Sequence, residues 1–144
     1  MNLNGSVAHQ LRVAEQAALK VIAQSQGATE LTRTQFAFLE TVSKFAPCTQ
    51  QRIGEITGCD RTTVASVGKR LAKSGFIKRR RRPHDGRCYD ITLLPAGAAA
   101  VEAIRPIYEK IDRSILAALP ADRQETFVET LLLIIGSAVA RSDD

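Results

Sequence analysis

With 144 residues, 44% of them apolar, the chain is long enough to bury the core of one domain. The absence of Trp and an aromatic share of only 5% argue against a stacking platform for single-stranded nucleic acid. Three cysteines without paired spacing exclude a disulfide framework and point to a reducing cytoplasm, and the net charge of +5 turns attention to where the basic residues lie.

The opening MNLNGSVAHQ has neither the basic nor the apolar run of a secretory signal. From Ser6 to Gln26 the spacing of Val7, Leu11, Ala14, Ala18 and Val21 or Ile22 predicts a helix, stopped by Gln26-Gly27-Ala28. Leu31-Thr32 opens a second helix with Phe36, Leu39, Val42 and Phe45 or Ala46 on one side, and Pro47 stops it. Thr49 caps a short third helix whose inward residues are Ile53 and Ile56, and Gly58-Cys59 turns the chain. Asp60 is placed to accept from the backbone N–H of Thr62 or Thr63 and so to cap a fourth helix. Its stripe is Val64, Val67 and Leu71, and Gly75 ends it as the residue after the cap.

A strand-like run follows from Phe76 to Arg82, then the turn Pro83-His84-Asp85-Gly86. Cys88 to Leu93 then alternates with Tyr89, Ile91 and Leu93 on one face. Pro95 suits the first position of a helix running to about Ala118, in which Pro106 should introduce a kink. Pro120-Ala121-Asp122 starts the last helix, to about Ala140, and its Leu131 to Ile135 segment is apolar all round. Such a segment needs to be buried, and in so small a chain a second subunit is the natural cover. The uncharged run Thr130 to Ala140 is far too short to span a membrane.

Charge singles out one stretch. Asp60 to Arg87 holds ten basic residues against Asp60 and Asp85, so the rest of the chain is net acidic. A basic patch of this kind neutralises phosphates and releases counterions. Helix, Gly turn, helix over residues 49–74, followed by a basic hairpin over 76–93, is the layout of a helix-turn-helix with a wing. The expected fold is mainly α with a small β-wing, in one domain over 1–144, flanked by helices over 6–26 and 95–141.

The same residues resemble the MarR family of transcriptional regulators along nearly the whole chain. The similarity is carried by Leu31-Thr32 with Gln35-Phe36, by Thr49-Gln50 with Ile53, and by Asp60-x-Thr62-Thr63-Val64 to Arg70-Leu71. It continues through Gly75-Phe76-Ile77-x-Arg79, Asp85-Gly86-Arg87 and Leu93 to Gly97. Leu94 stands where the family usually has Thr, Ser66 where a long basic side chain is frequent, and Gly68 interrupts the recognition helix. A glycine inside a helix costs roughly 1 kcal/mol relative to Ala. The resemblance implies a homodimer built by the terminal helices, which binds pseudo-palindromic double-stranded DNA. It also implies release by a small aromatic or phenolic ligand.

Residues expected to touch DNA are Gln50, Arg61, Thr62, Thr63, Ser66, Lys69, Arg70, Lys73, Arg80, Arg82, His84 and Arg87, with Asp85 supporting the wing. Four consecutive arginines, Arg79 to Arg82, cannot all face one groove, because alternate strand residues point to opposite sides. Two are expected to reach phosphates and at least one to pair with Asp85 or another local carboxylate. Arg87 suits minor-groove insertion, and Thr63 also suits a role in its own helix start. Arg12, Phe36, Phe38 and Tyr108 are candidates for a ligand pocket. Cys59 lies beside a helix start, but ordinary packing is the expected role of Cys48, Cys59 and Cys88. No Cys/His spacing has zinc-ligand form, no cofactor motif is present, and no catalytic set argues for an enzyme. The competing class is a basic architectural DNA- or RNA-binding module without ligand response.

Overall fold

The computed structural model describes residues 3–25 and 30–142. After a short 3-10 turn, Leu3–Gly5, the elements are α1 (Val7–Ser25), α2 (Arg33–Phe45), α3 (Gln50–Thr57), α4 (Arg61–Lys73), β1 (Ile77–Arg82), β2 (Asp85–Leu93), α5 (Pro95–Leu116) and α6 (Ala121–Ser142). The molecule is therefore mainly helical with one small antiparallel hairpin. It divides into two compact units, Thr29–Pro106 and Met1–Ala28 with Ile107–Asp144, and α5 passes from one to the other after Pro106. No helix among the described residues is long and apolar enough to cross a membrane.

The central unit is organised by caps that the sequence encodes locally. Thr32 and Gln35 form a reciprocal capping box at α2: Thr32 Oγ1 accepts from the Gln35 N–H (3.1 Å), and Gln35 Oε1 accepts from the Thr32 N–H (3.0 Å). Thr49 Oγ1 accepts from the Arg52 N–H at 3.2 Å and starts α3. One face of each short helix meets the others in a core of Phe38, Leu39, Val42, Cys48, Ile53, Val64, Leu71, Ile77, Ile91 and Val101. Burying side chains of this size contributes about 1.5–3 kcal/mol each. Ile56 departs from its expected inward position and is 41% exposed, as α3 turns only the Ile53 side to the core. Phe45 also faces outward, with the Arg52 guanidinium over its ring at 5.7 Å.

Three contacts fix the hairpin to the helices. The Cys48 N–H donates to the Ile91 carbonyl (3.1 Å), and the Ile91 N–H donates to the Cys48 carbonyl (2.8 Å). This bridge gives the two-stranded sheet a third partner at its root. The Phe76 carbonyl accepts from the Leu94 N–H at 2.9 Å, and Gly97 of α5 lies directly against that carbonyl. Only a residue without Cβ fits there.

The hairpin is longer than its alternation predicts. Pairing runs from Ile77↔Leu93 to Arg81↔Tyr89, and then Arg82 pairs with Asp85. Gly86, Arg87 and Cys88 are thus an excursion within β2, and the turn narrows to Pro83-His84. Gly86 keeps a negative φ, so Asp85-Gly86 is not the left-handed turn its composition suggested.

An ion-pair group ties α5 to α2. Arg105 Nη2 lies 3.0 Å from Glu40 Oε2, Lys44 Nζ lies 3.1 Å from Glu40 Oε1, and Arg105 also holds Glu102. Burial raises the Glu40 pKa, but Arg105 and Lys44 outweigh it and hold the carboxyl below its ordinary 4.5. A depressed carboxylate pKa contributes stability that is present above the unfolded value and lost as pH falls through the folded one. Glu40→Gln should therefore cost about 1 kcal/mol at neutral pH, a value discounted for partial exposure. The cost should vanish below the carboxylate range, as chemical denaturation at two pH values would show. An equal cost at both would contradict the assignment.

In the other unit α1 forms as expected, yet none of its residues is buried, and Val7 is 70% exposed. Along α6, Leu132 and Leu133 are 63% and 74% exposed in the single chain. The expected stop at Gln26-Gly27-Ala28 and the side chains from Ala138 onward lie outside what the structure describes.

Candidate nucleic-acid interface

The α3–α4 corner is set by Gly58, whose positive φ of 72° ends α3 with its N–H on the Gly54 carbonyl. Asp60 then starts α4: its Oδ1 accepts from the Thr63 N–H at 2.7 Å, which holds this carboxyl below its ordinary pKa. The end of α4 closes with the Gly75 N–H on the Ala72 carbonyl and the Phe76 N–H on the Leu71 carbonyl, at Gly75 φ 79°. That paired closure is a Schellman motif, which also delivers Phe76 to the core beside Leu71.

Between these ends α4 buries Val64, Gly68 and Leu71. Thr62, Ser66, Lys69 and Lys73, at i, i+4, i+7 and i+11, make an exposed stripe on the far side, with Arg70 beside it and Arg61 at the start. Gly68 is no mere interruption. A methyl there would stand 3.4 Å from Phe38 Cζ and 3.6 Å from Gln50 Nε2, so the glycine sits where α4 crosses α2 and α3.

Three expected contact residues are placed differently. Gln50 turns its amide nitrogen into that crossing, where it is buried without a hydrogen-bond partner among the described residues. Thr63 is half-buried and bonded to Asp60, serving its own helix start. Arg82 is taken by Asp90, with Nε 2.8 Å from Oδ1. That pair meets the expectation that one arginine of the run finds a local carboxylate. Asp85 supports the tip by accepting the Arg87 N–H at 3.1 Å.

The remaining arginines also sort by face. Arg79 and Arg81 both meet Tyr89, whereas Lys78 and Arg80 lie on the other side and are exposed. The side chains of Arg61, Lys69, Arg70, Lys73, Lys78, Arg80 and Arg87 have no ion-pair partner among the described residues. The sequence reading missed Lys78 and the Tyr89 contacts, although the two-residue strand period places Arg79, Arg81, Tyr89 and Ile91 together. His84 is exposed at the turn.

Neither Cys48 nor Cys88 is an activated thiol. Burial pushes the Cys48 pKa up, and a hydrogen bond with Asp85 does the same for Cys88. Cys59 packs against the core, and no metal-binding cluster exists among the described residues. Of the ligand-pocket candidates, Phe38 is a core residue packed on Gly68, and Phe36 is buried in the same unit. Arg12 is exposed on α1, and Tyr108 is half-buried on α5.

A glycine-cornered helix pair with an unpaired basic stripe, followed by a basic hairpin bridged to its base, defines a winged helix-turn-helix DNA-binding protein. The MarR family model matches residues 31–89. The chain is 32% identical over 106 residues to the uncharacterised HTH-type transcriptional regulator YdcH of Bacillus subtilis, covering 71% of each chain. Among solved structures it is similar to BpsR of Bordetella bronchiseptica, whose DNA binding is regulated by 6-hydroxynicotinic acid. There the TM-score is 0.84 at 28% identity, over 93% of this chain and 96% of that one. It is also similar to the PcaV transcriptional regulator of Streptomyces coelicolor in complex with its natural ligand. That match has a TM-score of 0.83 at 27% identity, over 96% and 97% of the two chains. The chain belongs to the MarR family of transcriptional regulators and is not an enzyme.

Proposed function

We propose that this regulator is a homodimeric repressor that binds a pseudo-palindromic operator and is released by a small molecule. One observation supports the DNA part: Arg61, Lys69, Arg70, Lys73, Lys78, Arg80 and Arg87, with no ion-pair partner among the described residues, all lie on α4 and the hairpin, while Arg82 is neutralised by Asp90. Residues 49–74 read the major groove, and the wing over 76–93 reaches the flanking backbone and minor groove. The helices over 6–26 and 95–141 join two copies, supported by the exposed apolar side chains of α1 and α6. A two-fold axis then places the recognition helices about one helical turn, roughly 10 bp, apart. Release by a ligand is supported by BpsR and PcaV, and an aromatic acid or phenol is the class to try first.

The test begins by sequencing genomic fragments captured by the purified protein, then titrating salt on the recovered operator. An inverted-repeat footprint is expected. Uniform binding to every duplex would favour an architectural module instead. Arg87→Ala should weaken operator binding by about 1–3 kcal/mol and relax preference at A·T-rich flanks, with an unchanged melting curve. If Lys69 touches only phosphate, Lys69→Ala should weaken all duplexes alike and lower the salt slope by about one. Parental behaviour of Arg87→Ala on operator and on flank-scrambled DNA would remove Arg87 from the interface.

A further inference from the structure

Cross-strand partners share a face of a hairpin, so the face that carries Ile77 and Ile91 into the core carries Arg79, Arg81 and Tyr89 further out. The Arg79 guanidinium stands 4.6 Å from the centre of the Tyr89 ring, and its Nε is buried with no hydrogen-bond partner among the described residues. The ring, then, is what holds Arg79. The Arg81 guanidinium stands 5.6 Å from the same centre, and its Nε–H donates to the Tyr89 hydroxyl at 3.0 Å. One aromatic side chain thus fixes two arginines.

What this fixing leaves free is chemically specific. A planar guanidinium stacked on a ring, or bonded through Nε, still presents its terminal N–H groups at the edge. The Tyr89 oxygen accepts from Arg81 and keeps its own proton to donate. The Arg81 hydrogen bond, with the charges of Arg81 and Arg79, also holds the phenol below its ordinary pKa, which makes it a better donor. Donors on one face, all favouring an anion, suit an oxygen-rich anionic group. We propose that Arg79, Arg81 and Tyr89 form a preorganised clamp for a backbone phosphate of duplex DNA, with Tyr89 as the residue that assembles it.

The clamp rests on the DNA-binding reading and adds to it a contact separate from the tip at Arg87. It also separates two arginines of equal charge. Arg81 is already ordered by Tyr89, whereas the Arg80 side chain has no ion-pair or hydrogen-bond partner among the described residues and must be ordered when DNA binds. A group ordered in advance loses less entropy on binding and so contributes more.

The experiment measures binding of the full-length protein to the recovered operator and to a random duplex of equal length, across a salt series, with melting curves. Tyr89→Phe keeps the ring beside Arg79 and Arg81 and removes the Arg81 hydrogen bond. It should weaken both duplexes by roughly three- to tenfold, the range for one hydrogen bond, and leave the preference between them unchanged. Arg81→Ala should lower the salt slope by about one and cost more than Arg80→Ala. The Tyr89→Phe and Arg81→Ala losses should be less than additive, because one acts through the other. Tyr89→Phe binding both duplexes like the parent would overturn the clamp. So would a variant that melts earlier while affinity and slope stay parental, which would make Tyr89 a wing stiffener only. If the parent itself bound no duplex, the DNA-binding reading would fall and the clamp with it.

Discussion

Gly97→Ala should lower stability by about 2–3 kcal/mol, the upper part of the range for overpacking a site that cannot move. An added Cβ would overlap the Phe76 carbonyl oxygen, lie 2.9 Å from its carbon and 3.3 Å from Leu93 Cδ2. That carbonyl is already held by the Leu94 N–H. It also follows the closure of α4, so it cannot withdraw without disturbing the recognition helix. The helix preference of alanine returns up to about 1 kcal/mol, too little to offset the overlap. Gly68→Ala is the control. Its new methyl meets Phe38 and Gln50 at 3.4 Å or more, an ordinary contact, so helix preference should prevail and stability should hold or rise. A thermal melt of each variant decides the matter. Gly97→Ala melting at the parental temperature would show that the start of α5 shifts freely.

The combined change Leu132→Glu and Leu133→Glu should leave the folded chain intact but separate the proposed dimer. Both side chains are largely exposed in the single chain, so the charges cost little there. Enclosed by a second subunit, each carboxylate would lose water without a partner, a penalty of several kcal/mol. Sedimentation should then show monomer at micromolar concentration. Operator affinity should fall by about a hundredfold or more, since one half-site must hold alone. A variant that stays dimeric with parental affinity would place the interface elsewhere.

Local chemistry made much of this fold legible. Thr49 and Asp60 cap where their side chains and spacing said they would, α2 opens at Leu31-Thr32 as read, and Gly75 ends α4 in the left-handed conformation that favours glycine. What stayed hidden depends on partners distant in sequence. Nothing near Gly68 announces Phe38, thirty positions earlier, and nothing near Arg82 marks Asp90 rather than Asp85 as its partner. Gln50 belongs to a matching pattern, yet the crossing of α3 with α4 turns its amide inward. The arginine run shows the limit of counting charge. Four adjacent guanidinium groups divide among a ring, a hydroxyl, a carboxylate and solvent, and only strand register reveals which goes where.

The bridge between Cys48 and Ile91 gives the wing the mechanics of a cantilever. A free two-stranded ribbon is marginal in water. This one is clamped at its root by two hydrogen bonds from outside the hairpin, while beyond Tyr89 it is held by contacts within the hairpin itself: its strand pairing, the Arg82–Asp90 pair and the Asp85 contact with the Arg87 N–H. Stiffness must then decline from root to tip, and backbone freedom must collect around Pro83 to Cys88. In the proposed complex, where the tip settles on a duplex, the ordering cost would fall on that short terminal length.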